Sequence, residues 1–138
     1  MLGGGNPVSG SNPAGIGGSI SYVGADTYAG WSGQVTPTNG NPVTAFKFIT
    51  PTGTAYKTNI AFGMDTTTLA SGELAGYEVK QNGQIILEKF VHPTSQGVST
   101  LDDSTIIMGA EAEIEIIAQT TDTSGIPMTI CLTMEPIQ

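Results

Sequence analysis

The chain has 138 residues, the length of one domain, and carries twelve carboxylates against four lysines and no arginine, for a formal charge of −8. That balance excludes direct nucleic-acid binding, which relies on Lys and Arg displacing counterions from phosphates, and no basic amphipathic stretch offers a grip on a membrane surface. No run approaches eighteen consecutive apolar residues, and the first residues lack the basic and apolar regions of a signal peptide, so neither a transmembrane helix nor Sec export is expected.

Residues 1–18, MLGGGNPVSGSNPAGIGG, hold seven glycines, two prolines and no charged side chain. Such a stretch buries too little apolar surface to offset the entropy of ordering it, so only a neighbour can give it a fixed shape. It reads as an extended arm, 1–18, ahead of a folded domain, 19–138. Its candidate partner-binding residues are the apolar Leu2, Val8 and Ile16, with Asn6-Pro7 and Asn12-Pro13, where proline pushes the preceding asparagine into extended backbone. Fully extended, eighteen residues reach about 60 Å, beyond the body of one domain. Arms of this kind bind by ordering on a neighbour, often as an added strand at a sheet edge. Gly15-Ile16-Gly17-Gly18 leads into a strand, so it is not a nucleotide-binding fingerprint.

From there the period is two. Phe46-Lys47-Phe48, Ile60-Ala61-Phe62-Gly63-Met64, Glu113-Ile114-Glu115-Ile116 and Met128 to Met134 place every second apolar residue on one face, as a half-buried strand requires. Strands are predicted near 28–36, 42–50, 56–64, 74–81, 85–92, 104–108, 111–120 and 127–135, and residues 65–75 have room for one short helical turn capped by Asp65. Asn82-Gly83 between two such runs is the strongest hairpin signal, because a type I′ turn needs positive φ at both central residues. Eight short strands about ten residues apart indicate an all-β fold, a single antiparallel β-sandwich. The tight turn between the fourth and fifth strands favours a jelly-roll-like order over an immunoglobulin-like one, whose Cys…Trp…Cys spacing is absent. The predicted core is Phe46, Phe48, Ile60, Phe62, Val79, Ile114, Ile116, Ile130 and Leu132.

Chemistry is sparse along the chain. His92 is the single histidine, with Ser95 and Asp102-Asp103 beyond it, but no serine has a nucleophile-elbow context. His92 reads as a polar strand end. Glu111, Glu113 and Glu115 fall on one side of a predicted strand, so that face must be solvated, meet a partner's cations or hold a cation such as calcium; a flat row does not supply the six to eight converging oxygens calcium takes. Asp65 and Asp102-Asp103 are weaker metal candidates. Cys131 reads as a small, partly buried strand residue. Tyr22, Tyr28, Trp31, Tyr56 and Tyr77 offer either core and interface packing or a sugar-stacking platform, although Tyr28 and Trp31, three apart in a strand, face opposite sides. No enzymatic activity, catalytic residue, metal site or cofactor is expected.

A Gly/Asn/Pro-rich arm at 1–18, a Thr-rich strand domain and the hairpin Tyr77-Glu78-Val79-Lys80-Gln81-Asn82-Gly83-Gln84-Ile85-Ile86 together resemble the small β-sandwich proteins of virus particles, in particular bacteriophage head decoration, or cement, proteins. The resemblance covers the whole chain at the level of layout. It implies a structural virion component on the outer capsid surface, made in the host cytoplasm, whose partners are a major capsid protein or neighbouring virion subunits, with homo-oligomer contacts. The alternative is a carbohydrate-binding or adhesive, receptor-binding module.

Overall fold

In the computed structural model, residues 19–65, 68–91 and 99–137 are described. They form nine strands, β1 (Ser19–Gly24), β2 (Thr27–Val35), β3 (Val43–Ile49), β4 (Tyr56–Asp65), β5 (Ala75–Gln81), β6 (Gln84–Val91), β7 (Ser99–Met108), β8 (Glu113–Thr120) and β9 (Met128–Pro136). Two antiparallel sheets result, one in the order β1-β2-β9-β4-β7 and the other β3-β8-β5-β6. With β1 set aside and β2 counted as the first strand, the orders become 1-8-3-6 and 2-7-4-5. That is the interleaved pattern of a jelly roll, so the predicted fold class stands.

The alternation seen in the sequence is what places the core. In β9, Met128, Ile130, Leu132 and Met134 point inward while Cys131, Thr133 and Glu135 point out. All nine predicted core residues are at most 2% exposed. Phe62 of β4 meets Tyr77 of β5 edge to face, with centroids 5.3 Å apart and planes at 75°, so an aromatic pair joins the two sheets at their centre. The Asn82-Gly83 turn forms with φ of 52° and 85°, and Gln81 pairs with Gln84 across it.

Four expectations need correction. The strand after Gly18 makes a ninth, β1, joined to β2 through Ala25 and Asp26 at φ of 52° and 59°. Alanine carries no signal for that left-handed turn. β7 begins at Ser99, five residues before the predicted start, because pairing with β4 along its whole length overrides a polar, Asp-containing sequence. Glu111 sits in the β7–β8 turn at φ 51° instead of in a strand, which breaks the predicted row of three glutamates. Cys131 is exposed, since it lies on the outward phase of β9 between buried Ile130 and Leu132. Asp65 is the last residue of β4, and its side chain lies outside the described residues.

Two side-chain oxygens do the work of missing backbone partners. Between Trp31 and Gln34 the β2–β9 register slips, and Ser32 fills the gap by accepting from Ile130 N at 2.9 Å and donating to Gly33 O at 2.6 Å. Thr50 Oγ1 donates to Gly109 O at 2.6 Å and accepts from Ala112 N at 2.8 Å, which fastens the end of β3 to the β7–β8 turn.

Tyr22, Tyr28 and Tyr56 form a second aromatic chain at 5.5 and 5.8 Å. Burial raises the Tyr28 phenol, and burial together with the proximity of Tyr28 pushes Tyr56 up to about 12. The neutral phenol is the form the fold favours, so its contribution is intact below the ordinary tyrosine value of 10.0 and is lost as pH rises toward 12. Thermal melts are expected to fall steeply with pH across that window and less steeply in Tyr56→Phe. Equal slopes would remove Tyr56 as the cause.

Candidate assembly surface

Strand direction sorts the loops into two ends. The β1–β2, β3–β4, β5–β6 and β7–β8 connections and the residues after β9 lie together at one end. Among the described residues, eight large apolar side chains are exposed, and seven of them belong to this end: Tyr22, Val23, Ile49, Ile85, Ile86, Ile107 and Ile137. Val23 and Ile107 are more than half exposed, at 60% and 55%. Each apart from Ile137 sits where alternation breaks at a strand end, in Tyr22-Val23, Phe48-Ile49, Ile85-Ile86-Leu87 and Ile107-Met108. That doubling is a signal the sequence reading passed over. In Phe48-Ile49 and Ile107-Met108 it supplies one apolar residue for the core and another for the outside, whereas Tyr22-Val23 and Ile85-Ile86 are exposed at both positions.

The end is held firmly. Besides the Thr50 bonds, Glu111 N donates to Pro51 O, Asn82 N to Glu113 O and Ile137 N to Ala55 O, at 2.8–3.2 Å. Gln81 Oε1 accepts from Gly109 N at 2.9 Å and Asn82 Oδ1 from Glu113 N at 2.9 Å. The β3–β4, β5–β6 and β7–β8 turns and the residues after β9 are thereby cross-tied, so the apolar residues of those segments stand on a fixed frame.

The eighth exposed apolar residue is Trp31, 62% exposed on the outer face of the five-stranded sheet. Across that face Trp31, Cys131, Ala61 and Asp103 are in register, and Ala29, Thr133, Asn59 and Thr105 form the next row. Asn59 Nδ2 donates to Thr105 Oγ1 at 3.3 Å. Of the two alternatives for the five aromatics, core packing holds for Tyr28, Tyr56 and Tyr77, which are buried, and Tyr28 and Trp31 do face opposite sides, so the five share no platform.

On the other sheet, Lys47, Glu115 and Lys80 are in register, so Glu115 stands between two lysines in its row. Glu78 is 7% exposed, accepts from Gln119 Nε2 at 2.6 Å and lies 3.8 Å from Lys80 Nζ. Nearby, Thr38, Asn39, Pro42, Leu74, Phe90 and Gln119 border a groove of about 260 Å³. Among the described residues no three His, Cys, Asp or Glu side chains converge on a common point. Leu2, Asn6, Pro7, Val8, Asn12, Pro13 and Ile16, like His92 and Ser95, lie outside the described residues, as does the side chain of Asp102.

No family model matches the chain, and no curated protein matches it in sequence. Among solved structures it is similar to a chain in the structure of infectious bursal disease virus, Gt strain, at 12% identity and a TM-score of 0.47, over 81% of this chain and 31% of that one. It is also similar to CBM35 from Paenibacillus barcinonensis at 15% identity and a TM-score of 0.40, over 85% of this chain and 92% of that one. Thus the chain spans about a third of the virus protein's length. The jelly-roll assignment rests on the strand order.

Proposed function

We propose that this protein is a structural component of a virus particle, decorating and cementing a capsid by docking its sandwich and its residues 1–18 on neighbouring subunits. The observation that carries this reading is the gathering of seven exposed apolar side chains on one cross-tied end. Single exposed apolar residues are ordinary on a monomer, whereas a concentrated set on a rigid frame is the mark of a protein–protein contact. Jelly rolls serve in viral capsids and in lectins, so fold alone does not choose between them. The apolar end favours assembly. The test is to purify particles from cells producing the chain and to locate it by electron cryomicroscopy with its copy number. A copy number matched to capsid symmetry, with the apolar end against a neighbouring subunit, is the expected result; absence from the particles would overturn the reading.

Trp31 supports the second reading, a sugar-binding module. An exposed indole on a flat face rich in Thr, Asn and Ala is suited to stack on a sugar ring and leave the hydroxyls to the polar neighbours. Saturable quenching of Trp31 fluorescence by a glycan, abolished in Trp31→Ala with an unchanged melting temperature, is the result this reading expects.

A further inference from the structure

We propose that the apolar end of one copy is the docking site for residues 1–18 of a second copy. The proposal rests on the preceding reading only in taking this end as an assembly surface, and it names the occupant.

Charge argues against the simplest occupant, the same end of another copy. The turns and strand ends here carry Asp26, Glu111 and Glu113, whereas Glu135 lies opposite Lys57 in register and Lys80 is held by Glu78. Two such ends face to face would set like charges against each other while removing them from water, which costs several kcal/mol. Residues 1–18 bring no charged side chain. They do bring Leu2, Val8 and Ile16, spread among small residues that let a backbone lie close to a surface.

Direction and length favour a second copy over the same one. β1 runs from Ser19, which pairs with Trp31 midway along β2, toward the apolar end, so the strand starts with that end ahead of it. A strand the length of β2 covers about 30 Å, and eighteen residues reach about 60 Å. Continued backward along the line of β1, a segment of that length spans the other half of the sheet and arrives at the apolar end of a copy stacked in line, whereas its own apolar end lies in the opposite direction. The contact is head to tail, with unlike surfaces on the two partners, and repetition closes a ring or extends a row.

The test uses the full chain in sedimentation velocity over a concentration series, with a synthetic peptide of residues 1–18 as competitor and the double variant Val23→Glu/Ile107→Glu. Self-association of the wild type, reversal by excess peptide, and about a tenfold or greater weakening in the variant at an unchanged melting temperature are expected. Val23 and Ile107 lie on the surface, so the variant should fold. A monomeric wild type, association untouched by the variant, or association the peptide does not reverse would each overturn the proposal. The last of these, with the variant still weakening association, would leave the end as an assembly surface with another occupant. Absence of the chain from particles would bear on the virion reading alone.

Discussion

Replacing Gly76 by alanine is expected to destabilise the domain by more than about 4 kcal/mol, the range that only a few named mechanisms reach. Gly76 lies in the interior of β5, buried, in register with Gln119 on β8 and Phe90 on β6. A Cβ built there would fall on the backbone carbonyl of Lys89. Backbone of an antiparallel neighbour cannot step aside as a long side chain can, so the substitution must push β6 away and break its ladder with β5. The reason is close approach and not a left-handed φ, since Gly76 is absent from the positive-φ glycines. Gly109→Ala is the control, because its Cβ would have only the Gln81 side chain within 4 Å, at 3.8 Å. Thermal melts should show a fall of roughly 15 °C or more for Gly76→Ala and little change for Gly109→Ala. A Gly76→Ala protein as stable as the parent would mean that β6 is free to shift.

Phe62→Ala is expected to cost about 3–5 kcal/mol, the transfer of a buried phenyl group plus the cavity it leaves. Phe62 is 1% exposed, and its ring fills the space between the sheets against Tyr77. Both walls of that space are sheets tied by ladders, so the cavity has little means to collapse. Phe62→Leu keeps much of the volume and should cost about 1.5 kcal/mol or less. Urea unfolding of the three proteins measures both, and an alanine variant no worse than the leucine variant would show that the sheets close over the gap.

These two positions show how differently residues announce their roles. Phe62 stands in an alternating run, and its burial follows from the pattern of its immediate neighbours. Gly76 reads as a weak point in a strand, and nothing near it in sequence says that Lys89 passes so close. The same division runs through the assembly surface. The charge balance, the uncharged residues 1–18 and the outward phase of Trp31 are properties of the chain itself. That Val23, Ile49, Ile85, Ile107 and Ile137 share one end depends on which strands pair and in what direction.

By itself, the sequence determined the period of two, the faces of most strands, the Asn82-Gly83 hairpin and the nine predicted core residues. Each of these follows from local rules, the alternation of side chains along a strand and the φ a tight turn demands. Only the tertiary structure decided that β1 extends one sheet, that β7 continues back to Ser99, that Glu111 leaves the strand and that Cys131 faces outward. It also decided that the doubled apolar residues at strand ends converge. These outcomes are set by pairing between residues far apart in the chain, where ladder hydrogen bonds and shared burial outweigh local preference.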